Sequence, residues 1–326
     1  MSRLLPALSV VIPSHQRADL LRACLASVLE HAPPATQIIV VDDGSAERRV
    51  SVVAAQFAAV TCVRLPRRAG FCVAANVGIQ AACADVVELL NDDAEVTAGW
   101  ANSALSIFSN PKVAAVAPLV LYREQGNETP RIDSAGDRYY LGGVAGKRGH
   151  GQPLQAEYLN AGSVFGASGS SGFFRRDVLL KVGGLPEQFG AYFEDVDLAF
   201  RLHRAGYEVR FEPRSRVYHH VSASYGRPRR ALLERQSLNE ERVFWRNVPD
   251  SAMRAALPRH AAVLAAKAWK RWHEGGFVPF LCGRLRVLGE TAELVRHRRW
   301  LQTLGPARDV DCWLVERVYW GDGNGG

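Results

Sequence analysis

The first part of the chain alternates short, mostly apolar β-rich runs with stretches in which apolar residues recur every three or four positions. The runs at 8–13, 37–42, 60–65, 85–90 and 113–121 are Val- and Ile-rich and bounded by turn-forming residues, which predicts buried strands. Between the first two, Leu20, Leu21, Cys24, Leu25, Val28 and Leu29 share a helical face, and Pro33-Pro34 stops that helix. Gly70-Phe71 opens another helical stretch through Ala74, Ala75, Val77 and Ile79. Strand–helix–strand alternation of this length predicts an α/β fold with right-handed crossovers and a mostly parallel sheet.

From about 122 to 165 the periodicity dissolves into Gly- and charge-rich sequence, including Gly142-Gly143, Gly146 and Lys147-Arg148-Gly149-His150-Gly151. That stretch is expected to be one long loop, of the kind that is functional or mobile. Order returns at 166–174. Asp177 to Val182 reads as a helix closed by Gly183-Gly184, and Asp195, Leu198, Ala199 and Leu202 mark an amphipathic helix ended by Ala205-Gly206. A strand is expected at 208–211.

Composition adds a boundary. With 326 residues, 48% hydrophobic and 22% charged, the chain can bury the core of one large domain plus an appendage. Residues 1–225 carry 22 Lys+Arg against 22 Asp+Glu, whereas residues 226–326 carry 18 against 11, so the whole net charge of +7 resides in the last hundred residues. Six of the seven tryptophans, Trp245, Trp269, Trp272, Trp300, Trp313 and Trp320, lie there too. We therefore divide the chain into residues 1–225, with halves at about 1–120 and 121–225, and a basic, Trp-rich helical region at 226–326.

Cations such as Arg227, Arg229-Arg230, Lys267, Lys270-Arg271, Arg284, Arg286 and Arg296 to Arg299 are interleaved with those rings, which suits either peripheral contact with an anionic membrane or a helical bundle with a wet basic face. No nucleic-acid motif accompanies the patch, and no nucleic-acid partner is expected. The six cysteines, Cys24, Cys62, Cys72, Cys83, Cys282 and Cys312, form no Cys-x-x-Cys pair, which argues against zinc knuckles and secreted disulfide scaffolds. The stretch before the first strand is too short for a signal-peptide core, and nowhere do 18 apolar residues run uninterrupted, so we expect reduced thiols in a cytoplasmic chain with no spanning helix.

Three acidic runs carry the candidate chemistry. Asn91-Asp92-Asp93 ends the apolar run Val86 to Leu90 and so falls at the carboxyl edge of a strand, where open α/β sheets bind ligands. Paired carboxylates there can hold a divalent cation, and through it a diphosphate; an ordinary capped turn uses the same residues. Asp42-Asp43-Gly44-Ser45 ends the second strand and is also a common turn sequence. Glu194-Asp195-Val196-Asp197 offers a general base, or simply the acidic first turn of a helix, the reading we prefer for Asp197. His219-His220 follow a strand, whose alternation turns one ring inward and one outward.

Taken in order, Val10-Val11-Ile12-Pro13-Ser14 with Arg17, Val40-Val41-Asp42-Asp43-Gly44-Ser45, Gly70-Phe71 to Asn76-Val77-Gly78, and Leu89-Leu90-Asn91-Asp92-Asp93 resemble the family 2 glycosyltransferases. The later run, from Phe173-Phe174-Arg175-Arg176 through Gly183-Gly184-Leu185, Phe193 to Leu198, Arg201 and Ala205-Gly206-Tyr207 to Tyr218-His219-His220, is similar to that family's rhamnosyltransferase-like branch. The resemblance covers about residues 7–225. It implies a GT-A fold, Rossmann-like with a mostly parallel sheet and flanking helices, to which the helical C-terminal region is appended.

What the resemblance implies chemically is an inverting, metal-dependent transfer of a sugar, rhamnose among the candidates, from a dTDP- or UDP-sugar to a saccharide or lipid-linked saccharide, in surface glycan synthesis. Asp93 and His219 would hold Mg²⁺ or Mn²⁺, and Asp92 would meet the donor ribose or the metal. Asn91 replaces the family's first acid. Either Asp42 or Asp43 would accept the base's imide hydrogen, with Pro13, Ser14 and Asn76 in the donor site. Arg17 would reach the nucleotide or cap the following loop, and Arg175-Arg176 would contact phosphate or acceptor or form a solvated pair. Asp195 aligns with the base, and Glu194 would shape the acceptor pocket. The alternative is a catalytically inactive nucleotide-sugar or lipid-binding module of the same fold. A nucleotidyltransferase would want a Gly- and Lys-rich phosphate loop near the N-terminus, and none is visible.

Overall fold

The computed structural model describes residues 5–123, 129–220, 230–305 and 313–315. The strand and helix patterns of the first 120 residues resolve into β1 (Leu8–Ser14), α1 (Ala18–His31), β2 (Gln37–Asp42), α2 (Arg49–Ala54), β3 (Val60–Arg64), α3 (Phe71–Ala81), β4 (Val86–Leu90), β5 (Ala94–Val96), α4 (Trp100–Ile107) and β6 (Val113–Tyr122). β1 is buried throughout, and its two faces feed separate cores: Val10 and Ile12 pack toward α1 and α4, Val11 toward α3. The closest approach is at Gly78 of α3, where a Cβ would lie 2.2 Å from a Val11 methyl, so this crossover needs glycine.

The stretch expected as one long loop instead holds β7 (Ile132–Ser134), β8 (Asp137–Tyr140), β9 (Val144–Lys147) and β10 (Gly162–Ser163). These strands have two to four residues each, too short for a period of two to register in the sequence. Then follow β11 (Ser171–Arg175), α5 (Arg176–Lys181), α6 (Glu194–Arg204) and β12 (Glu208–His219). β12 runs well past the expected 208–211, because a register shift between Glu212 and Arg216 absorbs Pro213 and lets the strand resume.

The main sheet has the order β10-β12-β6-β11-β4-β1-β2-β3, with β5 on β12 and β7 on β6. β3, β2, β1 and β4 are parallel; β11 is antiparallel between β4 and β6, and β12 is parallel to β6. Because Ser14 pairs with Asp42 in register, the carboxyl ends of β1 and β2 lie side by side, and the turn after β4 opens on the same edge. A second sheet, β13-β8-β9, includes Leu314–Val315 as β13.

The C-terminal region is helical, with α7 (Arg230–Asn247), α8 (Asp250–His273), α9 (Phe277–Arg286) and α10 (Thr291–Leu304). α7 buries Val243 and Phe244 in the core that α6 shares, and docks on α6 through buried polar groups as well. Asn239 Nδ2 donates to the carbonyls of Phe189, Ala191 and Tyr192, at 2.9, 3.1 and 3.0 Å. Asp197, which the sequence suggests as a helix-dipole charge, is fully buried at the centre of this contact. It accepts from Arg201 Nε at 2.8 Å, Arg246 Nε at 3.1 Å and Asn247 Nδ2 at 2.8 Å. Burial opposes its charge, but Arg246 and Arg201 outweigh that and hold its carboxyl far below the usual carboxylate range.

The expected boundary at 225–226, with Arg227 and Arg229, lies outside the described residues, as do Cys312 and Trp320. The five described cysteines are free, and no helix among the described residues is long and apolar enough to cross a membrane. Asp197→Ala should cost about 3–5 kcal/mol in denaturant unfolding, since it leaves the Arg201 and Arg246 charges buried without their carboxylate. A loss within about 0.5 kcal/mol, the scale of surface substitutions, would remove Asp197 as the joint between α6 and α7.

Candidate active site

The adjacent acids after β2 face opposite ways. Asp42 turns inward and accepts from Ser45 N at 2.7 Å, Ser51 N at 3.2 Å and Arg64 Nη1 at 2.5 Å, as well as from the Ser51 hydroxyl. Burial opposes its charge, yet the hydrogen bonds from Ser51 and Ser45 and the Arg64 contact keep its carboxyl below the ordinary range. Asp43 instead lines a cleft of about 590 Å³ beside Pro13, Ser14, Arg17, Arg68 and Asp92. Its carboxylate is aimed by the N–H groups of Ala69 and Gly70, at 2.5 and 3.0 Å.

The turn after β4 brings Asp92 to the same cleft, with Asp93 buried next to it against Arg17. Asp92 accepts from the Ser14 hydroxyl at 2.6 Å and lies against Arg17 Nη2, while Arg17 Nη1 contacts Asp93 Oδ2 at 2.6 Å. Burial raises the Asp92 pKa to about 6 despite Arg17. Asp93, also opposed by burial, is held below the usual range by His219 and Arg17.

His219, delivered by the end of β12, stands between two carboxylates: Nε2 is 3.0 Å from Asp93 Oδ1, and Nδ1 is 3.0 Å from Asp133 Oδ2. Burial disfavours the charged ring, but Asp133 and Asp93 overcome this and raise its pKa. Asp133 in turn receives both contacts of Lys147 Nζ, at 3.0 Å each. Strand alternation turns His220 the other way, onto Glu95 Oε1 at 2.5 Å. Asn91 sits at the margin, its amide nitrogen 3.5 Å from His219 Nε2.

This donor set suits a hard or borderline divalent cation. Asp93 offers a carboxylate oxygen, His219 offers Nε2, and Asp133 on Nδ1 supplies the carboxylate that commonly fixes a metal-binding imidazole's tautomer. No group of three or more His, Cys, Asp or Glu ligands forms among the described residues, so the remaining positions would fall to substrate phosphate and water.

Asp195 begins α6, accepting the Gly169 N–H at 2.8 Å on Oδ2 and the Val196 N–H at 2.9 Å on Oδ1. It lines a pocket of about 210 Å³ with Asp137, Lys147, Tyr192, Phe193 and Gln236. Glu194 Oε2 and Asp137 Oδ2 are buried with no hydrogen-bond partner. Burial first, and the Asp195 charge second, push both carboxyls up, favouring their protonated forms beside Asp195.

Other candidates lie elsewhere. Asn76 points away from the cleft and clamps the loop after α5, donating to the Leu185 carbonyl at 2.9 Å and accepting its N–H at 2.8 Å. Arg175 donates to the carbonyls of Val113, Phe108 and Asn110, and Arg176 to those of Ile79 and Gln80, so each caps backbone rather than phosphate or solvent. Conversely, Asp133, Asp137 and Lys147 escaped sequence reasoning because they sit on short strands without periodicity. Arg235 and Gln236 of α7 were missed because a basic helix a hundred residues downstream carries no mark of reaching the cleft.

Residues 9–183 match the family model described as glycosyl transferase family 2. An uncharacterized protein of Sinorhizobium fredii, y4gI, is 29% identical over 286 residues, covering 81% of this chain and 31% of that protein. A pre-mycofactocin glycosyltransferase of Mycobacterium tuberculosis is 31% identical over 216 residues, covering 65% and 42%. An N-acetylglucosaminyl-diphospho-decaprenol L-rhamnosyltransferase of the same organism is 29% identical over 151 residues, covering 44% and 49%. The chain thus spans less than half the length of each.

Among solved structures, GalNAc-T7 with UDP, GalNAc and Mn²⁺ superposes with a TM-score of 0.63 at 19% identity, over 80% of this chain and 52% of that one. A mannosyltransferase from Pyrobaculum calidifontis, in complex with GDP-Man and Mn²⁺, gives 0.57 at 18% identity, over 93% and 85%. The fold is GT-A, a mostly parallel sheet with flanking helices and a helical C-terminal region.

Asp133→Asn should lower the pH at which His219 titrates, followed by imidazole NMR, because one of its two carboxylate partners loses its charge. The raised histidine contributes stability below its unfolded pKa and loses it as pH climbs through the folded value. The depressed Asp133 contributes above its own unfolded pKa. The variant's stability deficit should therefore be largest between about pH 4 and 6.5, where both contributions overlap. An unchanged His219 titration would break the link.

Proposed function

The chain belongs to glycosyl transferase family 2, and from that premise we propose that it transfers a sugar, with inversion at the anomeric carbon, from a nucleoside-diphosphate sugar to a hydroxyl of a saccharide or lipid-linked saccharide. The observation that carries this is that the backbone-aimed Asp43 and Asp92 line one pocket and Asp195, at a helix start, lines another, while the buried Asp93–His219 pair connects to the first pocket through Arg17.

In this reading Asp43, not Asp42, accepts the N–H of the donor's base, because Asp43 lines the cleft while Asp42 is consumed by Ser45, Ser51 and Arg64. Arg68 and Arg235 give the cleft positive charge where a diphosphate would lie. Asp93 and His219 would hold Mg²⁺ or Mn²⁺, with Asp92 beside them. Such an ion, when bound, neutralises charge growing on the leaving diphosphate. Mn²⁺ accompanies UDP or GDP-Man in the two solved neighbours, which supports a divalent ion and a nucleotide donor.

Asp195 takes the acceptor hydroxyl's proton as the new bond forms on the sugar face opposite the departing diphosphate. Glu194 and Asp137, kept protonated, can donate hydrogen bonds in the acceptor pocket without repelling Asp195 further. The relative named as an N-acetylglucosaminyl-diphospho-decaprenol L-rhamnosyltransferase supports rhamnose as the sugar and a lipid-linked acceptor, with a dTDP- or UDP-sugar as the donor this reading takes.

Nucleoside-diphosphate release from a panel of dTDP-, UDP- and GDP-sugars, with Mn²⁺, Mg²⁺ or chelator, should show metal-dependent turnover of one donor. Asp195→Asn should bind that donor normally in calorimetry yet transfer about a hundredfold more slowly. Near-normal turnover in the variant would remove Asp195 as base. Donor binding by the wild type without release or transfer, even with acceptor saccharides present, would mark an inactive binding module instead.

A further inference from the structure

We propose that the arm formed by α8 and α9 docks on an anionic membrane surface through two exposed apolar rows that meet at a tryptophan-bearing turn. α8 buries Ala256, His260 and Val263, with His260 Nδ1 2.9 Å from the Gly142 carbonyl. Its opposite face presents Leu257, Ala261, Ala265 and Trp269, each four residues from the last. The exposed positions from Ala255 to Trp269 carry no charge, since Arg259 and Lys267 are half-buried and Lys267 is paired with Glu240. A solvent-facing helix surface is ordinarily polar.

α9 repeats the pattern. Gly283 lies against α7, where a Cβ would come within 2.3 Å of the Glu234 carbonyl oxygen. The side away from α7 presents Val278, Leu281 and Leu285, continued by Leu288 in the 3-10 turn Val287–Glu290. Those four side chains are 54%, 39%, 53% and 68% exposed, and Trp269 and Trp272 are 70% and 65% exposed. Trp272 meets the Phe277 ring edge-on at 5.4 Å, which joins the two rows at the turn.

The chemistry around the rows selects the occupant. Lys270, Arg271 and His273 fill the last turn of α8, and Arg286 ends α9. Lys270 and Arg271 share the single carboxylate of Glu274, so positive charge is in excess at the tip. Exposed indole rings flanked by Lys and Arg match a lipid interface, where the rings settle at headgroup depth and the cations meet anionic phosphates. A row of alanines offers a protein partner little relief to recognise, but lies flat on a bilayer. With no described helix able to span, the arm would lie in the interface. The inference is independent of the transfer chemistry.

Flotation of the full chain with phosphatidylcholine vesicles, with and without phosphatidylglycerol, tests it. Binding should require the anionic lipid, weaken with salt, and fall about tenfold or more in Trp269→Ala/Trp272→Ala. Leu285→Ser/Leu288→Ser, on the other row, should weaken it in the same direction. Both pairs are exposed, so nucleoside-diphosphate release from soluble donor should match wild type and certify folding. Wild type that stays in the aqueous phase with anionic vesicles at low salt, or variants that bind as wild type does, would overturn the proposal. So would concentration-dependent dimers abolished by the same substitutions without vesicle binding, which would assign the rows to a second copy of the chain.

Discussion

Most carboxylates at this site, Asp42, Asp43, Asp92, Asp93, Asp133, Asp137 and Glu194 among them, are withdrawn from water, and an unpaired buried carboxylate is among the costliest groups a fold can contain. The site is organised by how each acid is compensated. Asp42 is matched by hydroxyls, backbone N–H and Arg64, Asp93 by Arg17 and His219, Asp133 by Lys147 and His219, and Asp197 by Arg201 and Arg246. One oxygen each of Asp137 and Glu194 lacks a partner, and there burial, with the Asp195 charge beside it, favours the protonated form. The acids thus separate into charged and neutral groups by environment rather than by residue type, the distribution that acid–base chemistry and cation binding both need.

Compensation also explains how the C-terminal helices belong to the catalytic fold. Arg242 and Arg246 of α7 are buried against the Gln188 carbonyl and Asp197, and Glu240 and Glu241 are buried against Lys267, Arg284 and His260, while Arg235 and Gln236 on the same helix reach the two pockets. Net charge alone suggests a wet basic appendage. Instead, α7 keeps Arg242 and Arg246 dry and α8 leaves apolar residues exposed, an inversion that a composition average conceals.

The carboxyl-edge acids were legible because a parallel strand announces itself as a continuous apolar run whose end is sharp, so Asp42-Asp43 and Asn91-Asp92-Asp93 could be placed on one edge before any coordinates. Alternation told only that one of His219 and His220 turns inward, and the resemblance rather than the pattern singled out His219. Sequence could not decide between Asp42 and Asp43, since the choice depends on which one the Ala69 and Gly70 N–H groups and Ser51 reach. Nor could it find Asp133, whose role depends on a ring 86 residues away, or see that Asn76 serves a loop 109 residues downstream. Local pattern fixes elements, whereas pairing across the fold assigns roles.

The contact between Asp93 and His219 spans 126 residues and closes only when β12 has been laid along β6 and β5. The cleft-lining acids Asp43 and Asp92 follow strands that pair within the first hundred residues, so that half of the cleft can form early during synthesis. The carboxylate–histidine pair waits for one of the most distant connections in the sheet, with the large loop-closure entropy that such separation carries. A chain arrested before residue 208 would hold Asp43 and Asp92 but not the imidazole. Completion of the sheet is therefore the event that creates the site.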